Sequence, residues 1–209
     1  MKSIYLFLCL IMVPFIASAQ EIGKGAVVAV TNLNVLYLGI SNPIEIAVPG
    51  VTSDKVTATI TNGTINKSAT GWEVKPLSFS DVVITVLANN KKVTEKKFRV
   101  KAIPAPVAVF AGISNGAVSK NEVSNSEVLK AELKDFLWDL NFEIQSFTLA
   151  FSKDGYDKEI TSKTNILTDE MKSIITELKR GQYITFKDIK AMGPDGRVRD
   201  LNPLVIKID

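Results

Sequence analysis

The sequence predicts a mostly β protein, with an N-terminal immunoglobulin-like β sandwich followed by a β-rich α+β domain. Residues 26–101 alternate apolar and polar side chains in short segments separated by Gly, Pro and Asn, a pattern typical of a β sandwich. Prolines at 104 and 106 then interrupt the pattern. Beyond them, strand-like alternation is mixed with one segment of clear helical periodicity.

The first 19 residues predict a cleavable secretory signal peptide. Lys2 precedes an apolar run over residues 4–13, and small residues at 17–19 end the segment, the order of regions found in such signals. A membrane span takes about 20 apolar residues, and this run is shorter. We expect cleavage after Ala19 and a periplasmic or secreted mature chain without a membrane span.

The residue types left after cleavage exclude much of enzyme chemistry. The only cysteine, Cys9, lies in the signal segment, and the sequence contains no histidine. Disulfides, Cys/His zinc sites and Ser-His-Asp triads therefore need residues that the mature chain lacks. The formal net charge of +3 is too small to favour nucleic acid. We predict that the protein is not an enzyme, with no catalytic residues, no cofactor and no metal site.

The first domain, predicted to cover residues 20–102, carries several strand signals. Residues 56–61 alternate and are followed by Asn62-Gly63, a dipeptide typical of β-hairpins because both residues tolerate positive φ. Residues 81–88 are apolar on both faces, which predicts a central strand. Asn89-Asn90 should turn the chain into a last strand over residues 93–101. The proline-rich residues 103–108 are the predicted linker, because proline cannot continue a central strand.

The second domain, residues 109–209, mixes two periodicities. Ser119 and Glu122 have the spacing of a capping box, whereas residues 129–137 fit a helix and a strand equally. A phase slip at Gln145-Ser146 predicts a bulge in one long strand. Asp154-Gly155 lacks the spacing of an EF-hand calcium loop and predicts a hairpin turn instead.

The end of the chain contains the clearest helix signal. Thr168 can cap a helix whose apolar stripe extends from Met171 to Leu178, and Gly181 marks the predicted end of the helix. Two strands follow, over residues 183–192 and 197–208, joined by the turn Gly193-Pro194-Asp195-Gly196.

A few side chains are candidates for binding a partner. Trp72 alternates with charged residues and is expected in the core, whereas Trp138 suits either a core or an interface position. Six basic residues between Lys91 and Lys101 either attract an acidic partner or protect an exposed strand edge.

The turn at residues 193–196 is the second candidate region. Pro194, Asp195, Arg197 and Arg199 lie in or beside it, and we expect the turn to be exposed. It suits partner binding, and an ordinary hairpin is the alternative interpretation.

Four stretches of the sequence resemble the last two periplasmic domains of GldM-type gliding-motility and type IX secretion proteins. They are VPGVTSDKVTATITNG (residues 48–63), FRVKAIPAPVAVFAG (98–112), ISNGAVSKNEV (113–123) and LTDEMKSIITELKRGQYITFKDIKAMGPDGRVRDLNP (167–203). They follow the family order and extend over essentially the whole predicted mature chain.

The resemblance implies a protein-binding module rather than a catalyst. In the family, these domains meet an outer-membrane-associated ring of envelope proteins, and the subunits dimerise, which implies such a ring as partner and a homodimer as one state of this chain. Because a cleavable signal is predicted where the family has a membrane helix, the expected role is that of an accessory or competitor subunit. The alternative is a secreted ligand-binding or adhesin-like module unrelated to secretion, since one scaffold serves many functions.

Overall fold

The computed structural model describes residues 33–209, so the predicted signal peptide and the first residues of the first domain lie outside the described residues. The described residues form one compact unit. We call residues 33–102 the N-terminal half and residues 103–209 the C-terminal half.

The N-terminal half is a sandwich of two sheets. Its strands are β1 (Val35–Tyr37), β2 (Asn42–Ile44), β3 (Val56–Ile60), β4 (Thr64–Ser68), β5 (Gly71–Lys75), β6 (Val82–Ala88) and β7 (Lys91–Lys101). One sheet has the order β1-β7-β6-β3 and the other β2-β5-β4. Trp72 and Val74 of β5 pack against Val82 and Ile84 of β6 in a shared core. The predicted sandwich, the central position of β6 and the core position of Trp72 are confirmed.

The hairpin predicted at Asn62-Gly63 is wrong, because β3 and β4 belong to different sheets. A two-residue type I′ hairpin needs positive φ at both positions, yet only Gly63, at +103°, has it. The side-chain amide of Asn62 instead donates to the carbonyls of Ser78 and Ser80, at 3.0 and 2.7 Å. The dipeptide therefore carries the chain from one sheet to the other.

The lysine-rich strand β7 has the features of a protected edge. Asn89 and Asn90, at φ values of 49° and 61°, form the predicted turn into it. Beyond its pairing with β6, β7 pairs with β1 only over residues 99–101, so residues 91–98 have one edge without a strand partner among the described residues. Lys96 lies 5.7 Å from the centre of the Phe98 ring, and Lys97 pairs with Asp81 at 2.7 Å. Charge along an open edge hinders pairing with another chain.

The C-terminal half is an α+β domain. Its strands are β8 (Val107–Val109), β9 (Gly116–Val118), β10 (Lys130–Glu132), β11 (Glu143–Lys153), β12 (Tyr156–Ser162), β13 (Tyr183–Met192), β14 (Val198–Leu201) and β15 (Leu204–Ile208), and its helices are α1 (Lys120–Ser124) and α2 (Asp169–Glu177). The main sheet has the order β12-β11-β13-β15-β9, β14 also pairs with β13, and β10 pairs with β8. Met171 and Ile175 of α2 pack on Phe147, Leu149 and Phe186 of this sheet.

Both predicted helix caps are confirmed. The Thr168 hydroxyl accepts a hydrogen bond from the Met171 amide at 3.2 Å, and Ser119 and Glu122 form a complete capping box at the start of α1. Strand β11 contains the predicted irregularity, with register shifts on either side of Ser146. Asp154 and Gly155, with φ values of 56° and 78°, turn β11 into β12 as expected.

The single strand predicted over residues 197–208 is wrong, since the structure divides it into β14 and β15 at Asn202-Pro203. Pro203 has no N–H to donate to the ladder, so the chain leaves the sheet there and returns to it. Both strands pair with β13, one with each end. In the ambiguous stretch 129–137, residues 130–132 form a strand and the remainder is irregular.

Candidate functional site at the junction of the two halves

Trp138 lies where the C-terminal half meets the N-terminal half. It belongs to the loop 133–141, between β10 and β11. Its ring lies 5.2 Å from the ring of Tyr37, at the end of β1, and Phe136 lies 5.0 Å from the same ring; both contacts are edge-on. Such aromatic pairs contribute about 0.5–1.5 kcal/mol beyond burial alone. Trp138 is therefore half-buried in a contact between the halves, and it also lines a cleft of about 890 Å³ within its own half.

The segment that receives these rings is held in place by a buried asparagine. Asn42 is 1% exposed, and its side-chain oxygen accepts from the Tyr37 amide at 2.6 Å. Its side-chain amide donates to the carbonyls of Tyr37 and Ile40, both at 2.9 Å, and of Val74 at 3.1 Å. These bonds fix the turn over residues 37–42, because a buried polar group without its partners is costly.

The turn at residues 193–196 meets the same segment. Asp195 and Arg199 form a two-pronged ion pair, with Nη1–Oδ1 and Nη2–Oδ2 distances of 2.9 and 2.7 Å. Their side chains are only 4% and 17% exposed. The Arg199 guanidinium also donates to the Arg197 carbonyl at 3.0 Å and lies 5.3 Å from the centre of the buried Phe142 ring. Paired, planar contacts of this kind are characteristic of arginine.

Two glycines allow the turn at residues 193–196 to pack closely, Gly39 against Asp195 and Gly193 against Arg199. A Cβ at Gly39 would lie 3.0 Å from the Cβ of Asp195, across the junction. A Cβ at Gly193 would lie 2.3 Å from Arg199 Nη1. Gly39 has a φ of +78°, and its amide donates to the Pro76 carbonyl at 3.1 Å. A hydrogen bond within the N-terminal half therefore also fixes its backbone.

The ion pair changes the acidity of Asp195. Hydrogen bonds from Arg199 hold the pKa of its carboxyl below the ordinary value of 3.8, and the Arg197 amide acts in the same direction against the opposing effect of burial. The carboxylate is therefore ionised at neutral pH, where the pair is fully formed.

The five sequence candidates thus divide into two groups. Trp138 and Asp195 contact the N-terminal half, at Tyr37 and Gly39 respectively, and Arg199 pairs with Asp195 on the inner side of the turn. Pro194 and Arg197 are exposed at the outside of the turn, as expected. Leu137, between the two packed aromatic residues of the loop, is 99% exposed. We call Leu137, Pro194 and Arg197 the junction rim.

Sequence reasoning missed the N-terminal side of this site. Gly39 and the Asn42-Pro43 dipeptide are recognisable turn signals, so the turn itself was predictable. Its contact with residues more than 90 positions away was not, since no local pattern records it. The sequence also gives no indication that Phe142 stacks on Arg199.

Within residues 33–209, no group of three or more Cys, Asp or Glu side chains is placed to hold a metal ion. No helix in that part of the chain has both the length and the hydropathy required to cross a bilayer.

Two solved structures match the chain at low sequence identity. Domains 4 and 5 of the S-layer protein SbsC match with 14% identity and a TM-score of 0.25, covering 77% of this chain and 74% of that one. InvD of Yersinia pseudotuberculosis matches with 14% identity and a TM-score of 0.22, and the match covers 77% of this chain and 48% of the InvD chain. Values this low establish no relationship, and no curated protein matches the chain.

Comparison with protein families is decisive. Residues 25–101 match the GldM third domain, and residues 104–209 match the GldM C-terminal domain. Together the two matches leave only the first residues and a two-residue gap unmatched, and the gap falls at the start of the proline-rich segment. The chain therefore belongs to the GldM family, whose domains are components of the gliding-motility and type IX secretion machinery.

Proposed function

We propose that this protein is a non-enzymatic, periplasmic binding component that docks on envelope proteins of the gliding and type IX secretion machinery. The observation that carries the proposal is the match of both successive GldM domains, in order, to one chain. The outer-membrane-associated ring is the partner that this membership favours. The predicted signal peptide supports an accessory or competitor role beside the membrane-anchored subunit.

The junction rim is the proposed docking surface. Leu137 exposes an apolar side chain and Arg197 a cationic one. Leu137 lies between Phe136 and Trp138, which contact Tyr37, and Arg197 directly follows the turn whose Asp195 contacts Gly39. An apolar contact bordered by arginine is a common composition at protein interfaces. Because the residues beside them are packed, both side chains are presented from ordered backbone, which lowers the entropy lost on binding.

Affinity capture from envelope extracts of cells that carry the machinery tests this function. The full-length chain is expected to retain proteins of the gliding and secretion machinery, and Arg197→Glu to retain less of them. Arg180→Glu makes the same charge change at another exposed position of the C-terminal half and is the matched control, expected to bind like the wild type.

The outcomes separate the two function classes. Failure to recover any machinery component, under conditions where a membrane-anchored GldM-type protein recovers them, would contradict the proposal. Binding of a glycan or a small ligand by the purified protein in that case would favour the ligand-binding or adhesin-like alternative.

A further inference from the structure

We propose that the turn at residues 193–196 is a clasp that fixes the angle between the two halves of the protein. The inference goes beyond the proposed function, since it concerns how the halves are held and would stand whatever partner binds. It assigns Asp195 and Arg199 to the inside of the molecule and leaves Pro194 and Arg197 to the outside.

The ion pair makes the turn rigid. Each guanidinium nitrogen of Arg199 meets one oxygen of Asp195, and Asp195 also accepts from the Arg197 amide at 3.3 Å. A two-pronged pair fixes the relative orientation of both side chains as well as their separation. The turn therefore meets the other half with one defined shape.

The contact with Gly39 makes the turn a link between the halves. The site left open by the missing Gly39 side chain is occupied by Asp195, whose Cβ would be only 3.0 Å from a Cβ there. Gly39 lies in the turn fixed by Asn42, and Asp195 lies in the turn fixed by Arg199. Two rigid turns in van der Waals contact leave little freedom for a hinge at this point.

Phe142 connects the clasp to the rest of the junction. One face of its ring is near Arg199, and it packs in a cluster with the buried residues Ile40 and Ile103. Ile103 is 4% exposed and begins the proline-rich segment, so this segment is anchored at its start and is not a free tether. Pro106 is buried as well, and proline restricts the backbone between the two anchors.

The clasp lies beside the aromatic contact of Tyr37, Phe136 and Trp138. The two contacts hold neighbouring residues of one segment, residues 37–40, so the halves can rotate about the aromatic contact only if the clasp gives way. A consequence is that the junction rim is displayed at one angle relative to the sandwich.

Residual dipolar couplings of the full-length chain test the clasp, because they report the orientation of each half in a common frame. In the wild type, one alignment tensor is expected to fit the amides of both halves. Gly39→Ala inserts a methyl group against Asp195 and Arg199→Gln removes the ion pair, so each is expected to require two different tensors.

Matched controls separate the clasp from simple destabilisation. Gly50 has a similar φ of +73°, with nothing within 4 Å of its missing Cβ, so Gly50→Ala brings the same backbone strain without the contact. Arg180→Gln is the control for loss of an arginine. Both are expected to keep the single wild-type tensor. If Gly39→Ala does not fold, the residual dipolar couplings of Arg199→Gln alone test the clasp. The clasp is excluded if the wild type itself needs two tensors, or if the folded variants keep the wild-type orientation.

Discussion

Asn42 shows how one buried polar residue can organise a surface formed by another part of the chain. Its side chain replaces the hydrogen bonds that a tight turn cannot make for itself, to the backbone of Tyr37 and Ile40 on one side and of Val74 on the other. The sequence alone marks Asn42-Pro43 as a turn signal, but burial is what makes the residue important. Tyr37 and Gly39 keep their positions because Asn42 is satisfied.

Replacing Asn42 with alanine is predicted to lower the free energy of unfolding by about 2–4 kcal/mol, because several buried backbone groups lose their partners. Urea denaturation measures the change. Asn66→Ala, at an exposed position of β4, is the control and is expected to change stability by about 0.5 kcal/mol or less. Equal effects of the two substitutions would contradict the account of the turn.

The pair of Asp195 and Arg199 predicts a dependence of stability on pH. Folding lowers the pKa of Asp195, so its contribution is present above the unfolded-state pKa and is lost as pH falls through the lower, folded-state value. The stability difference between the wild type and Asp195→Asn should be constant above about pH 5 and shrink below about pH 4.

Urea denaturation of both proteins at a series of pH values measures this difference. The same comparison in an Arg199→Gln background is the control, where the decrease on acidification should be smaller because the partner is absent. A wild-type advantage that grows on acidification would have the wrong sign and would contradict the role given to the pair.

At the scale of elements, the crossing between β3 and β4 depends on one glycine. A Cβ at Gly63 would lie 2.1 Å from the Lys75 carbonyl oxygen, so the two backbones could not stay as close. Gly63→Ala is predicted to destabilise the protein by about 2–4 kcal/mol, because backbone strain and displacement of β5 add together. Gly50→Ala, which brings strain alone, should cost about 1 kcal/mol.

Thermal or urea unfolding of the two alanine variants tests this difference. If Gly50→Ala were as destabilising as Gly63→Ala, the close approach to Lys75 would have no energetic weight.

The elements that could be predicted from the sequence are those fixed by local signals. The cap at Thr168, the apolar stripe from Met171 and the slip at Gln145-Ser146 all act within a few residues, and the structure has each of them. The hairpin prediction at Asn62-Gly63 was wrong because the dipeptide permits a hairpin without requiring one. The contacts that determine its conformation come from residues 75–80. Pro203 ends a strand by a local rule, but the return of β15 to the same neighbour, β13, depends on the sheet.

At the scale of the whole molecule, the family and the order of the two halves could be predicted from the sequence. The junction could not, because it forms between residues 37–42 and residues more than 90 positions later. Trp138 and the turn at 193–196 were singled out for separate reasons, and the structure brings both to one segment of the sandwich. The partner-binding role of the rim is proposed from that arrangement.

The central claim is that the junction rim contacts the secretion and gliding machinery, and site-specific photo-crosslinking in living cells tests it most directly. A photoreactive residue in place of Arg197 is predicted to form an adduct with a protein of that machinery, whereas the same residue in place of Arg180 should form none. Adducts at position 180 and not at 197, or equal adducts at both, would contradict the claim.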